Sequence, residues 1–216
     1  MAKISFDVKF LNYFVSSKIA GCPDYEQSFD LSHIPALERR RLSTLAKCIF
    51  AKLPEDLSNE CKIIFASYTG EMNRCLSLLK ELTTSDLISP TSFSLTVLNS
   101  APALLAISQR NFSGITAISS NLAFEMALIS AVAKLENEAF VIIYDELIGE
   151  NKEPQDYAFL ALQICPGDSY CLEFSPIKQS DIKPKKSYVD FLNALRKNIK
   201  SYEFDSNSMH YKWNFK

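Results

Sequence analysis

The fold is decided by residues 115–146, ITAISSNLAFEMALISAVAKLENEAFVIIYDE. It opens with Ile115-Thr116-Ala117-Ile118-Ser119 and closes on Phe140-Val141-Ile142-Ile143-Tyr144, two short apolar runs rich in β-branched and aromatic residues. Such runs read as strands, the second of them buried. Between them Leu122, Met126, Ile129, Ala133 and Leu135 recur at helical spacing, which predicts a helix over 121–136. A strand, a helix and a second strand form one α/β repeat unit.

Working outward, Ile63-Ile64-Phe65-Ala66-Ser67 reads as another buried strand. A helix is predicted over 70–83, with Met72, Cys75, Leu76, Leu79 and Leu82 on its core face. Residues 98–109 read as a helix so apolar that it must be covered on all sides, by the core or by a partner. The segment 88–95 reads as a turn leading into extended chain. Residues 4–15 read as a strand, and 35–53 as one amphipathic helix opened by Pro35. Tyr157–Ile164 and Tyr170–Phe174 read as a hairpin around Pro166-Gly167-Asp168, and 187–200 as a last helix. Strands alternating with helices predict a three-layer α/β domain with a mixed sheet over 1–216.

Composition narrows the function. The 216 residues carry 23 Lys plus Arg against 25 Asp plus Glu, so nothing forces a basic face and nucleic acid is not the expected partner. No apolar run approaches the roughly 20 residues of a membrane span. The start shows no signal-peptide core, so the expected compartment is the cytoplasm. Its six cysteines are then expected to stay reduced, and none forms a Cys-x-x-Cys pair. Five glycines include no G-x-G-x-x-G or Walker pattern, so no cofactor is expected. There are only two histidines, His33 and His210, through which most acid–base or metal chemistry would have to pass.

Several residues invite a catalytic reading and lack its companions. Asp145-Glu146 ends a strand, where open α/β sheets bind ligands, but no histidine or second acidic cluster lies near it in sequence. Ser119-Ser120 precedes a helix without the glycines of a nucleophile elbow. Cys165 and Cys171 flank a turn, and no cysteine opens a helix after a strand. The run Arg39-Arg40-Arg41 is either a solvated face or a contact for an anionic partner. These residues leave open a small α/β acyltransferase or hydrolase using Ser120 or Cys165, a carrier-docking module, and a non-catalytic partner protein.

The segment from Ile88 to Glu146 resembles the N-terminal half of a ketoacyl synthase of the thiolase-like fold. The resemblance lies in Ile88-Ser89-Pro90, in Asn99 opening an Ala-rich helix, in a strand leading to a second Ala-rich helix, and in Ala139-Phe140-Val141-Ile142-Ile143-Tyr144. The stretches Arg39-Arg40-Arg41-Leu42-Ser43, Phe65-Ala66-Ser67, Gly70-Glu71 and the tail Tyr211-Lys212-Trp213 are similar to a narrower group. These are the short ketosynthase-like chain length factors of aryl polyene clusters.

The resemblance implies a non-catalytic subunit. The place of the synthase's nucleophilic cysteine falls at Leu122, and the catalytic histidines belong to a C-terminal half that these 216 residues do not contain. The implied partners are a cognate ketosynthase and an acyl carrier protein bearing a polyene on its phosphopantetheine arm. Pairing would run across Ile115–Ser119, with Asn99, Ile115, Ala117 and Ser119 at the interface. The apolar helices at 98–109 and 121–136 would be buried against the synthase. Phe65, Thr91, Ser92 and Phe93 would bound the acyl tunnel, and Arg39, Arg40 and Arg41 would contact the carrier.

Overall fold

The predicted strands form and share one sheet. The computed structural model describes residues 1–15, 30–40, 42–54, 60–84, 87–146, 157–178 and 187–216. Along the chain these give β1 (Ala2–Val15), α1 (Ala36–Arg39), α2 (Thr44–Lys52), β2 (Lys62–Ser67), α3 (Met72–Leu82), α4 (Pro90–Ser94) and α5 (Ser100–Ser108). There follow β3 (Ile115–Ser119), α6 (Ala123–Ala133), β4 (Ala139–Glu146), β5 (Tyr157–Pro176), α7 (Ser187–Arg196), β6 (Ser201–Ser206) and β7 (Met209–Phe215).

The described strands make a seven-stranded sheet in the order β3-β2-β4-β5-β7-β6, with β1 on β5. β2 runs parallel to both β3 and β4, and the remaining pairings are antiparallel. The central strands are apolar throughout because both of their faces are covered. Ile64, Ala66, Val141, Ile143, Leu160 and Leu162 pack with α6 and α7. Ile63, Phe65, Phe140, Ile142 and Tyr144 point the other way, into a second core with α2 and α5. The alternation follows from the two-residue period of a strand, and the result is a mixed α/β fold of three layers.

Four expectations are corrected. Residues 35–53 are not one helix: α1 ends near Arg39, and Ser43 begins α2 by accepting the Ala46 amide at 3.1 Å. A serine that caps a helix stops the previous one from running through it. Residues 90–94 are helical, not extended. Ser89 accepts the Ser92 amide and Pro90 occupies the first turn, where its missing N–H is not needed.

Residues 157–176 form one long strand, not a hairpin. Both of its halves pair with β1, and the register jumps from Asp7↔Cys165 to Phe6↔Tyr170. The Asp7 carboxylate accepts the amides of Asp168 (3.0 Å) and Ser169 (2.9 Å), so the Pro166–Ser169 excursion is held as a bulge.

The fourth correction concerns the apolar helices. α6 buries Ala123, Phe124, Ala127, Leu128 and Ala131 within this chain, beneath α7 and the terminal strands. α5 likewise buries Ala101, Leu105 and Ala106 beside α2. The terminal hairpin supplies Trp213, fully buried and stacked on Phe124 at 5.5 Å and beside Phe191 at 5.1 Å. Its two-residue turn is Asn207-Ser208, both with positive φ (53° and 59°), as a tight hairpin turn demands. Residues 147–156 and 179–186 lie outside the described residues, as does Arg41.

Candidate functional site

The carboxyl ends of β2, β3 and β4 converge on the start of α6. Ser120 donates its amide to the Ser67 carbonyl at 3.3 Å, which ties the end of β3 to the end of β2. Its hydroxyl accepts the Leu122 amide at 3.1 Å. Asn121 and Asn207 exchange two amide hydrogen bonds of 2.8 Å, fastening the terminal hairpin over this junction. Leu122 itself is 1% exposed and joins the apolar core on the α6 side. Its backbone (φ −117°, ψ 52°) shows none of the left-handed strain of a nucleophile elbow. A hydrocarbon side chain at this point cannot form a thioester.

The histidines stand elsewhere. His33 is exposed, and His210 on β7 bonds the Asp205 carboxylate at 2.7 Å. Ser120 and Cys165, the alternative nucleophiles, have no histidine among their described hydrogen-bond partners. Cys61 is sealed in the core, where burial pushes its thiol up to about 11.

Asp145 and Glu146 organise the turn between β2 and α3. Asp145 Oδ1 accepts from Ser67 Oγ (3.1 Å), the Tyr68 amide (2.6 Å) and the Thr69 amide (3.1 Å). Glu146 accepts from the Asn73 amide (2.8 Å) and the Tyr144 hydroxyl (3.1 Å). No cluster of three or more His, Cys, Asp or Glu suited to a metal occurs among the described residues. Asp145→Ala leaves two amides without acceptors, so we expect a loss of roughly 2–4 kcal/mol in urea unfolding. Asp145→Asn retains the acceptor oxygen and keeps most of that stability.

Burial raises the carboxyls of Glu71 and Glu146 above the ordinary range. A folded-state value above the unfolded one stabilises the fold most at low pH. That contribution is lost as pH rises from the unfolded value through the folded one. Glu71→Gln therefore gains on the wild type between pH 5 and pH 8, read as the difference in urea midpoint. An unchanged difference across that range would contradict the assignment.

The expected partner-facing residues are distributed as follows. β3 is an edge strand: among the described strands it pairs with β2 alone, and Ala117 and Ser119 are exposed on it. Asn99 sits at the start of α5, exposed and without a capping bond from its side chain. Thr91, Ser92 and Phe93 ride on α4, with Phe93 59% exposed. Arg39 and Arg40 are exposed on and just after α1. Phe65 is fully buried under α2 and α5, away from any surface.

One surface escaped the sequence reading. The α3 stripe Met72, Leu76, Leu79 and Leu82, predicted to face the core, is partly exposed, and only Leu78 of α3 is fully buried. With Phe93, Val97, Ile107 and Phe112 (88% exposed) it adds to an unusual amount of exposed apolar side chain on α3–α5 and the link to β3. Large exposed apolar patches mark interaction sites. Periodicity located this stripe but could not tell an inward face from an outward one.

Residues 16–214 match the family described as beta-ketoacyl synthase, N-terminal domain. The chain belongs to that family. No curated protein matches it. Among solved structures it is similar to a chain in the complex of the ketosynthase ApeO with its chain length factor ApeC from Xenorhabdus doucetiae. That match has 15% identity and a TM-score of 0.74, covering 98% of this chain and 99% of that one. The similarity shows the same fold. A further match, to the HMG-CoA synthase PksG from Bacillus subtilis, has 10% identity and a TM-score of 0.39, covering 90% of this chain and 51% of that one. No helix among the described residues is long and apolar enough to cross a membrane.

Proposed function

We propose that this protein is a non-catalytic chain length factor, the partner of a ketosynthase that extends a carrier-bound aryl polyene in the cytoplasm. The observation that carries the reading is Leu122: a buried leucine stands at the strand–helix junction where the resemblance puts the synthase nucleophile. Support comes from the fold shared with a ketosynthase–chain length factor complex. The matched chain there is aligned over 99% of its length by a chain of 216 residues, so the two are of similar size.

In this reading residues 1–216 act as one unit, need no cofactor, and leave the Cys-His-His chemistry to the partner. The β3 edge offers unpaired backbone groups to a strand of the synthase, through Ile115, Ala117 and Ser119, with Asn99 nearby. The exposed apolar side chains of α3–α5 are covered in the same assembly. Thr91, Ser92 and Phe93 meet the acyl chain. Phe65 supports that wall only from the core behind it.

A polyene is flat and rigid, so side-chain bulk at α4 limits its length sterically. Phe93→Ala in the reconstituted system is expected to lengthen the longest product, and Ser92→Phe to shorten it, read by mass spectrometry. Unchanged lengths in both variants would remove α4 from the tunnel.

A further inference from the structure

The strand–helix junction at Leu122 is shut as well as unarmed. Leu122, Ala123 and Phe124 are all buried, and the cover comes from the far end of the chain. Tyr211 and Trp213 of β7 share one apolar core with Leu122 and Phe124. Reactive thiols sit where solvent and substrate reach them, so a side chain at this position would be out of reach even if it were a cysteine.

The cover is a hairpin, and its tip is fastened. Two paired strands are marginally stable by themselves, so the contacts that hold β6 and β7 down set how often the junction opens. Asn121 and Asn207 each donate an amide N–H to the other's Oδ1 at 2.8 Å. Each side chain thereby satisfies one donor and one acceptor of the other. Positive φ at Asn207 and Ser208 turns the chain back at this point, a conformation that asparagine tolerates better than most residues. The Ser208 carbonyl accepts the Ile177 amide at 2.9 Å. The turn is thus pinned both to the start of α6 and to the end of β5.

We infer that β6 and β7 form a clasped lid over the α6 junction, held shut by Asn121 and Asn207, which bars small acyl donors and thiol-directed molecules from residue 122. This chain is then silent for two independent reasons, the missing thiol and the shut lid, and only the first is visible in its sequence. Resting on the function proposed above, the lid leaves the ketosynthase as the one place in the pair where an acyl group is taken up.

The test puts a reporter thiol at the junction with Leu122→Cys and follows its alkylation by iodoacetamide under native conditions. Peptide mapping by mass spectrometry separates it from the native cysteines. Adding Asn207→Ala is expected to speed that alkylation at least about tenfold. Tenfold corresponds to about 1.4 kcal/mol in the opening equilibrium, within the range of two side-chain hydrogen bonds. Ser43→Ala removes the cap of α2 on the opposite face of the sheet and should leave the rate as it was. Equal rates with and without the clasp, or a rise as large in Ser43→Ala, overturn the lid. Amide exchange at residues 122–124 reads the same opening without the reporter. Asn207→Ala alone should speed it by a similar factor, and unchanged exchange overturns the lid as well. Native mass of the chain coexpressed with its ketosynthase separates the two claims. A pair that forms while Asn207→Ala leaves the alkylation unchanged refutes the lid alone. A tenfold rise in a chain that never pairs upholds the lid and refutes the chain length factor.

Discussion

Trp213→Ala is expected to lower the melting temperature by about 10 °C. Trp213 is fully buried, and its ring lies against Phe124 and Phe191 and within 6.3 Å of Phe6. It thereby joins the terminal hairpin, α6, α7 and β1. Its indole N–H has no hydrogen-bond acceptor among the described residues, so the ring acts through packing. Truncating a buried tryptophan costs roughly 3–5 kcal/mol, and each kcal/mol moves a domain of this size by about 2–4 °C. Trp213→Phe keeps most of the ring contacts and should recover more than half of the loss. Calorimetry checks both. A drop of only a degree or two for the alanine variant would mean that the hairpin is not part of the cooperative core.

The second large effect belongs to the edge strand. Ala117 is exposed in the middle of β3, so Ala117→Asp should change the stability of this chain by no more than about 0.5 kcal/mol. In the proposed pair the same carboxylate is trapped against the synthase without a partner charge. An uncompensated buried charge costs roughly 3–5 kcal/mol, which weakens pairing by about 100-fold or more. Size-exclusion chromatography of the coexpressed pair reads the result. Lys200→Ala, on the exposed turn before β6, should leave pairing intact. If Ala117→Asp and wild type elute as the same complex, the strand edge is not the contact.

The central strands were legible because each is a short apolar run with one meaning, as in Ile63–Ser67 and 140–144. The helices between them followed from the same periodicity. The errors arose where a single local signal was outvoted. Pro166-Gly167-Asp168 looks like a hairpin turn, yet β1 is long enough to pair with both flanking segments and turns the excursion into a bulge. Ser43 and Ser89 each placed a helix boundary by one side-chain hydrogen bond, which composition does not display.

The terminal hairpin carries its own sequence signal: Tyr202 and Phe204 alternate with polar residues and Asn207-Ser208 is a turn pair, behind a helix that ends at Arg196 rather than at 200. For the candidate site, Leu122 was identified from spacing within a resemblance. The clasp between Asn121 and Asn207 was not, because it joins residues 86 positions apart in sequence. The outward stripe of α3 shows the same limit: a helical period defines a face but not which way it points.

The most direct test of the account is acyl transfer in the complex. The protein is coexpressed with the ketosynthase of its gene cluster, the native mass is taken, and the sample is exposed to radiolabelled acyl carrier. The account predicts a one-to-one complex in which the label resides on the synthase alone and this chain stays unlabelled. A label bound covalently to this chain, or two monomers that never associate, would contradict it.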